Sequence, residues 1–519
     1  MPNIVLEHVS FQFNSSDFIL HNISYSFGEG KHNLIGHNGV GKSVLASLLA
    51  GNHKPSDGKI IHSSIVELFS QQFISPEQSI ASFLNIEAPL KALHRILSGH
   101  YCEQDMSLIG DNWALEQKTQ EILAQIEIFA DLWQPFHSLS GGEQTRLRLL
   151  KHFQNKPNWL ILDEPSNHLD IQAREWLKTQ IKQYPNNLLL ISHDLSLLEI
   201  IPNTHELTPK GILYFHGNIH DYLQQKFTKQ LALQQALEHE QKTQKILTHS
   251  YQRNKEHTNQ RAIQGKKLKK SGSQSKLILD RKADKATLNQ ASLKKRYTKL
   301  FELSEQKRLD TQNQIEATTE LKLSLNQNQH ANHHFIFCDH LILPYGHQDP
   351  ITFFLKNNEQ ALLMGKNGSG KSTLLHILSG RLQPKSGCCQ TSGKIVYLDQ
   401  HQSFLLPHLN VLANFEHYVP NLGETNYRTL LANIGLKKHK VYSPIHALSG
   451  GEKIKLALLI IYSYPSLPIL LLDEPDNHLD IMAKKMLINA LQRYKGMMLL
   501  VSHDSDFLKQ IDIKKSIFL

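Results

Sequence analysis

The stretch GHNGVGKS, Gly36 to Ser43, returns 329 residues later as GKNGSGKS, Gly365 to Ser372. Each copy follows a short run that reads as a strand, HNLI in the first and ALLM in the second, and precedes an apolar helical pattern. A strand, a glycine-rich turn and a helix opening on Lys-Ser bring several backbone N–H groups to one helix N-terminus. That is where a polyphosphate is stabilised. The two loops are therefore read as nucleotide-phosphate sites. One comprises Gly36, Asn38, Gly39, Gly41, Lys42, Ser43 and Val44, the other Gly365, Asn367, Gly368, Gly370, Lys371, Ser372 and Thr373. Lys42 and Lys371 are expected to reach the β- and γ-phosphates of a nucleoside triphosphate, and Ser43 and Ser372 to coordinate Mg²⁺.

The repeat extends outward from the loops. LSGGEQ (Leu139–Gln144) recurs as LSGGEK (Leu448–Lys453), LILDEPSNHLD (Leu160–Asp170) as LLLDEPDNHLD (Leu470–Asp480), and ISHD (Ile191–Asp194) as VSHD (Val501–Asp504). Spacing is kept as well as composition. Lys42 to Gln71 and Lys371 to Gln400 are both 29 residues, as are Glu164 to His193 and Glu474 to His503. One interval differs: Gln71 to Ser140 is 69 residues, against 49 from Gln400 to Ser449. The first copy thus carries 20 extra residues in one place, read as either loop drift or an added contact surface. LILDE and LLLDE are apolar runs ending in two carboxylates, the pattern of a buried parallel strand. Asp163 and Asp473 then sit where Mg²⁺ is held, and Glu164 and Glu474 where a water is polarised for in-line attack. His193 and His503 end a further apolar run in register with those carboxylates and read as γ-phosphate sensors.

Composition bounds the rest. The 519 residues carry a net charge of +9, with 40% hydrophobic and 20% charged residues, so wholesale disorder is excluded. No apolar stretch is long enough to span a bilayer, no secretory signal opens the chain, and the four cysteines lack CxxC spacing. The cytoplasm is the expected compartment. The positive charge is localised: residues 221–332 hold 22 Lys+Arg against 11 Asp+Glu, leaving 34 against 36 elsewhere. This proline-free block has helical periodicity (Leu223, Phe227, Leu231, then Leu293, Tyr297, Leu300) on either side of GKKLKKSGSQSK (Gly265–Lys276). It reads as two long helices joined by a basic turn, the first over 221–262, and as either a solvated linker or a footprint for a polyanion.

The set of phosphate loop, LSGGE, DEP and SHD resembles the ATP-binding cassette superfamily, with LSGGE as its diagnostic element. The fold this implies is α/β: two P-loop cassette domains, each a mixed sheet with a helical subdomain, joined by a basic helical hairpin. The expected domains are 1–220, 221–332 and 333–519. In that family two cassettes face head to tail. Ser140, Gly141 and Gly142 then complete the site on Lys371, and Ser449, Gly450 and Gly451 the site on Lys42, so that ATP holds the halves together. The resemblance further implies adenine stacking on Phe13 and Tyr345, and Mg²⁺ contacts from Gln71 and Gln400, with Gln72 an equal register in the first copy.

Two cassettes on one chain around a basic hairpin resemble the ABC-F subfamily over the full length. FHGNIHDYLQQK (Phe215–Lys226) is similar to its junction motif, and DEPSNHLD and DEPDNHLD to its DEPTNHLD, with Ser166 and Asp476 in place of threonine. What the resemblance implies is a monomeric ATPase that binds the ribosome at its exit site. The linker would reach toward rRNA and P-site tRNA, in translation or in antibiotic resistance. Two other readings are the ATPase subunit of a multi-subunit transporter and a DNA-repair-linked cassette ATPase. The basic hairpin argues against the first, and the absence of a long coiled coil and zinc cysteines against the second.

Overall fold

The structure is a computed structural model. It describes residues 4–13, 18–62, 64–70, 78–100, 103–167, 169–270, 291–309, 334–399, 403–420, 422–477 and 479–519. The chain forms two compact units, Met1–His220 together with Thr319–Leu519, and Asp221–Thr318.

The first unit holds both cassettes. In the first, the apolar runs around the motifs become the centre of a six-stranded sheet. Its order is Val66–Phe69, Trp159–Asp163, Asn187–Ile191, Lys31–Ile35, Asn203–Thr208 and Gly211–His216, parallel except for the last strand. Leu160, Ile161, Leu162 and Leu188 to Ile191 are fully buried, as continuous apolar strands covered on both faces must be. A three-stranded antiparallel sheet, with Ile4–Phe11 between Leu20–Phe27 and Asp57–His62, packs into the same core. The second cassette repeats both layers. Its parallel sheet has five strands in the order Ile395–Leu398, Ile469–Asp473, Met498–Val501, Gln360–Met364 and Lys515–Phe518. In its antiparallel sheet Phe335–Ile342 lies between Ile351–Lys356 and Ser386–Ser392. The α/β reading with two cassettes holds, and among the described residues no helix is long and apolar enough to cross a membrane.

The 20 extra residues of the first copy are helical rather than loop. Between the matching bridges Ser79↔Pro135 and Asn410↔Pro444, the first copy fits helices Glu87–Leu97, Glu103–Ile109 and Leu115–Gln125. The second has Val411–Tyr418 and Glu424–Asn433. Arg95 Nε donates to the buried Asp105 Oδ2 at 3.2 Å, and this pair ties the first two of these helices together.

The copies also differ inside the sheet. His32 and His205 are buried side by side on adjacent strands of the first cassette, where the same register of the second has Ala361 and Ile517. Their ring nitrogens meet at 2.9 Å, His32 Nε2 lies 3.0 Å from Gly28 O, and the Tyr25 hydroxyl lies 2.8 Å from His205 Nδ1. Because Gly28 O only accepts, His32 carries its proton on Nε2. With both rings neutral, His205 then donates from Nε2 and accepts from Tyr25, which satisfies every group of the chain.

In the second unit, helix Ile219–Lys270 runs past the expected end at residue 262. Residues 291–309 return antiparallel to it: Gln244 Nε2 donates to Glu305 Oε2 at 2.6 Å and Asn254 Nδ2 to the Tyr297 hydroxyl at 2.7 Å. The Tyr251 and Tyr297 rings pack with centroids 5.2 Å apart. The first half of the expected basic turn, Gly265–Lys270, is part of helix Ile219–Lys270, and residues 271–290, which include its second half, lie outside the described residues.

Candidate functional site

Both glycine-rich loops end strands at the centre of their sheets, Lys31–Ile35 and Gln360–Met364, and open the helices Lys42–Leu49 and Lys371–Leu378. The residue before each helix, Gly41 or Gly370, has φ near +100°, a conformation that excludes side chains at this turn. A Cβ on Gly370 would also meet Leu343 Cδ1 at 2.6 Å. Lys42 Nζ donates to the carbonyls of Gly36 (2.8 Å) and His37 (3.2 Å), and Lys371 Nζ to those of Gly365 (2.8 Å) and Lys366 (2.9 Å). Each ammonium is thus held over its loop. Burial lowers the pKa of both, opposed at Lys42 by Glu164, Asp480 and Asp163 and at Lys371 by Glu474, Asp473 and Asp170.

The carboxylates end the neighbouring strands. Asp163 is raised by burial, against the pull of a Ser43 hydrogen bond and of Lys42. Its Oδ1 is buried without a hydrogen-bond partner. Orphaned carboxylate oxygen next to a hydroxyl and an ammonium is a donor set suited to a hard divalent cation carrying phosphate, so the residues present fit Mg²⁺ with a nucleotide. Asp473 differs, because the Tyr397 hydroxyl donates to its Oδ2 at 3.0 Å. The first copy has Leu68 at that step of the strand. Glu164 and Glu474 both adopt φ 47°, and each N–H reaches across the sheet to the next strand end, Ile191 O or Val501 O, at 2.9 Å. Two non-glycine residues held left-handed at matching positions mark backbone strain kept at a functional turn. Burial, and then the neighbouring Asp163, pushes the Glu164 carboxyl up to about 8. His193 Nε2 lies 3.6 Å from Glu164 Oε1, and His503 Nε2 lies 3.6 Å from Glu474 Oε1. His503 is brought down to about 4 by burial and by Lys371 and Arg174.

Ser140 and Ser449 cap the helices Gly141–Asn155 and Gly450–Tyr462, and Glu143 and Glu452 close a capping box on each. Gly141, Gly142, Gly450 and Gly451 therefore form the first turns of those helices, as the LSGG reading expects. The aromatic candidates occupy equivalent positions, each five residues beyond a bulge residue with positive φ, His8 or His340. Phe13 is 46% exposed and Tyr345 71% exposed. The loop of Tyr345 presses on the second phosphate loop: His347 N donates to Ser369 O at 2.9 Å, and a Cβ on Gly346 would lie 2.7 Å from Gly370 Cα. Gln71, Gln72 and Gln400 lie outside the described residues.

Sequence reading missed one contact that reaches from one cassette to the other and several ion pairs within each. Asp480 caps helix Ile481–Arg493 through Oδ1, while its Oδ2 lies 3.3 Å from His37 Nδ1 in the first phosphate loop. Arg174 NH1 donates to Asp194 Oδ2 at 3.1 Å, and its counterpart Lys484 bonds Asp504. Asp476, 5% exposed where the first copy has Ser166, adds a second acid 3.9 Å from Lys484, and its Oδ1 has no hydrogen-bond partner. The repeated NHLD was the available signal for Asp170 and Asp480. Which copy's loop each approaches is not encoded in spacing.

A family profile described as ABC transporter matches residues 20–167 and 348–477. The chain is 30% identical to the ATP-binding protein YdiF of Bacillus subtilis, over 96% of its own length and 77% of the relative's. It is 26% identical to the ribosome protection protein VmlR of Bacillus subtilis (98% and 85%), and 26% identical to the ATP-binding protein Uup of Haemophilus influenzae (92% and 72%). A solved structure titled RNase-L Inhibitor covers 99% of the chain with a TM-score of 0.52 at 15% identity, a likeness of fold.

Proposed function

Since the chain belongs to the ATP-binding cassette family and, within it, to the ABC-F ATPases, we propose that it is a cytoplasmic, Mg²⁺-dependent ATPase whose ATP-closed form binds the ribosome. The observation that carries the ATPase half is the duplicated set of orphaned or strained carboxylates facing a loop-held lysine. Asp163 with Ser43, and Asp473 with Ser372, would hold the metal, which when bound neutralises charge between the β- and γ-phosphates. Lys42 and Lys371 give up loop carbonyls to bind phosphate oxygens. Glu164 and Glu474 orient the attacking water and take its proton, a role suited at Glu164 to a carboxyl whose pKa burial has raised. His193 and His503, close to those carboxylates, hydrogen-bond the departing γ-phosphate. Ser140 and Ser449 bring helix N-termini to the opposite nucleotides, and Phe13 and Tyr345 stack on adenine.

The ribosomal half rests on the +11 balance of residues 221–332, on the helical form of 221–270 and 291–309 among them, and on the ribosome protection for which the VmlR relative is named. A hairpin carrying this excess suits a dense phosphate surface such as rRNA or P-site tRNA. Protection against ribosome-targeting antibiotics and tuning of translation are two uses of the same binding.

The test is the double variant Glu164→Gln, Glu474→Gln, which binds ATP without turning it over. It is expected to co-sediment with ribosomes only when ATP is present. Replacing Lys266, Lys267, Lys269 and Lys270 with Gln in that variant is expected to weaken the association and flatten its salt dependence. Recovery of the ATP-loaded double variant entirely in the supernatant would remove the ribosome reading.

A further inference from the structure

We propose that Cys338 and Cys389 form a built-in dithiol that a hydroperoxide oxidises to an intrachain disulfide, a modification site in the antiparallel sheet of the second cassette. The two residues stand directly opposite one another on strands Phe335–Ile342 and Ser386–Ser392. Their sulfurs are 3.9 Å apart. Directly opposed residues of an antiparallel pair have Cα atoms about 4.5–5.5 Å apart, inside the window that a disulfide requires. Rotation about the side chains closes the remaining gap without moving the strands.

The surroundings assign the two sulfurs different roles. Cys338 is fully buried in the core, whereas Cys389 is partly exposed. Cys338 donates its S–H to Cys389, and this hydrogen bond lowers the Cys389 thiol below the usual range while Cys338 itself is raised. The accessible sulfur is thus the nucleophile and the buried one resolves it. Cys388 points to the other face of its strand, exposed and opposite Asp339, so it is out of register for Cys338. The first cassette places Leu6 opposite Ile60 at the same step before its bulge, so the sheet does not need sulfur there to pack.

The chemistry balances with hydrogen peroxide as the oxidant. The Cys389 thiolate attacks one peroxide oxygen, an S–O bond forms, the O–O bond breaks, and the leaving hydroxide becomes water with the proton that Cys389 released. Cys338 sulfur then attacks the sulfenic sulfur. The S–S bond forms, the S–O bond breaks, and hydroxide leaves as a second water with the Cys338 proton. Both sulfurs are oxidised and both peroxide oxygens reduced. The tethered strand Phe335–Ile342 leads to Tyr345 and Gly346 against the second phosphate loop, so the modification falls in one cassette of the two.

The experiment treats the reduced full-length protein with a modest excess of hydrogen peroxide, then denatures it, alkylates it and maps its peptides. Two of the four thiols are expected to be lost, with a mass decrease of two hydrogens, a Cys338–Cys389 cross-linked peptide, and full recovery with a dithiol reductant. The variant Cys102→Ser, Cys388→Ser should give the same cross-link. Cys338→Ala should abolish the cross-link and slow the oxidation of Cys389, because the hydrogen bond that lowers its thiol is gone, and any Cys389 sulfenic acid that forms should persist for dimedone to trap. A Cys338 that still alkylates completely after oxidation of the wild-type protein, or a bond joining Cys389 to Cys388 or Cys102, would overturn the proposal. Because the wild-type map decides this, a variant that fails to fold does not blunt the test.

Discussion

Mild acid should remove the stability that the paired imidazoles beneath the first phosphate loop contribute at neutral pH, and the variant His205→Ile should isolate that contribution. Burial, reinforced by His32, brings His205 from 6.5 down to about 4, and burial lowers His32 as well. The sign follows from proton counting. Between those two values the unfolded chain binds the proton that the native ring refuses, so stability rises with pH across the window and is lost as pH falls from the unfolded value toward the folded one. For His205 the whole effect is about 3 kcal/mol at most. Going from about pH 7.5 to about pH 5.5 removes about 1.3 kcal/mol of it. For a cassette-sized unit that is a drop in Tm of about 3–5 °C. The assay is calorimetric unfolding of the full chain at the two pH values, against His205→Ile, the residue that the second cassette has at this register. The variant leaves the Tyr25 hydroxyl and His32 Nδ1 without their partner and should be less stable at both pH values, by about 1–3 kcal/mol. The diagnostic quantity is therefore its pH slope, which should be shallower. Equal losses of Tm in wild type and variant would refute the reasoning.

Two further outcomes follow from the differences between the copies. Asp476→Ser, which restores the first copy's residue, removes a buried carboxylate with an unbonded oxygen but leaves Lys484 paired with Asp504. Urea unfolding should show the second cassette unchanged or stabilised by about 1–2 kcal/mol, whereas Lys484→Met should cost about 3–5 kcal/mol by stranding two acids. Gly346→Ala puts a Cβ 2.7 Å from the Gly370 backbone at φ +98°. It should lower nucleotide affinity at the second site by on the order of tenfold, so titration with a fluorescent ATP analogue should find one tight site rather than two.

The sequence made the chemistry legible where a motif fixes backbone and side chain together. Lys42 over its loop, Ser140 at its cap and Glu164 at its strand end are each determined within a few residues, so spacing alone located them. Tyr397 was not legible, because its hydroxyl meets Asp473 from a neighbouring strand and the first copy offers only Leu68 in its place. The His37–Asp480 approach was hidden for the same reason at longer range, since it joins residues 443 apart in different cassettes. Helix Ile219–Lys270 outran its expected end because nothing in Gln264–Lys270 breaks a helix except Gly265, and one glycine costs only about 1 kcal/mol. The 20-residue excess was visible as a length. Its helices are joined by an ion pair of half-exposed Arg95 with buried Asp105 that periodicity does not register.

The 52-residue helix Ile219–Lys270 has a mechanical meaning of its own. At 1.5 Å per residue it is about 78 Å long, so each degree of tilt at its Ile219 end displaces its Lys270 end by about 1.4 Å. A few degrees carry that end across the width of a nucleotide base. An angular change too small to alter any hydrogen bond in a cassette would thus decide whether the basic end touches a target or misses it.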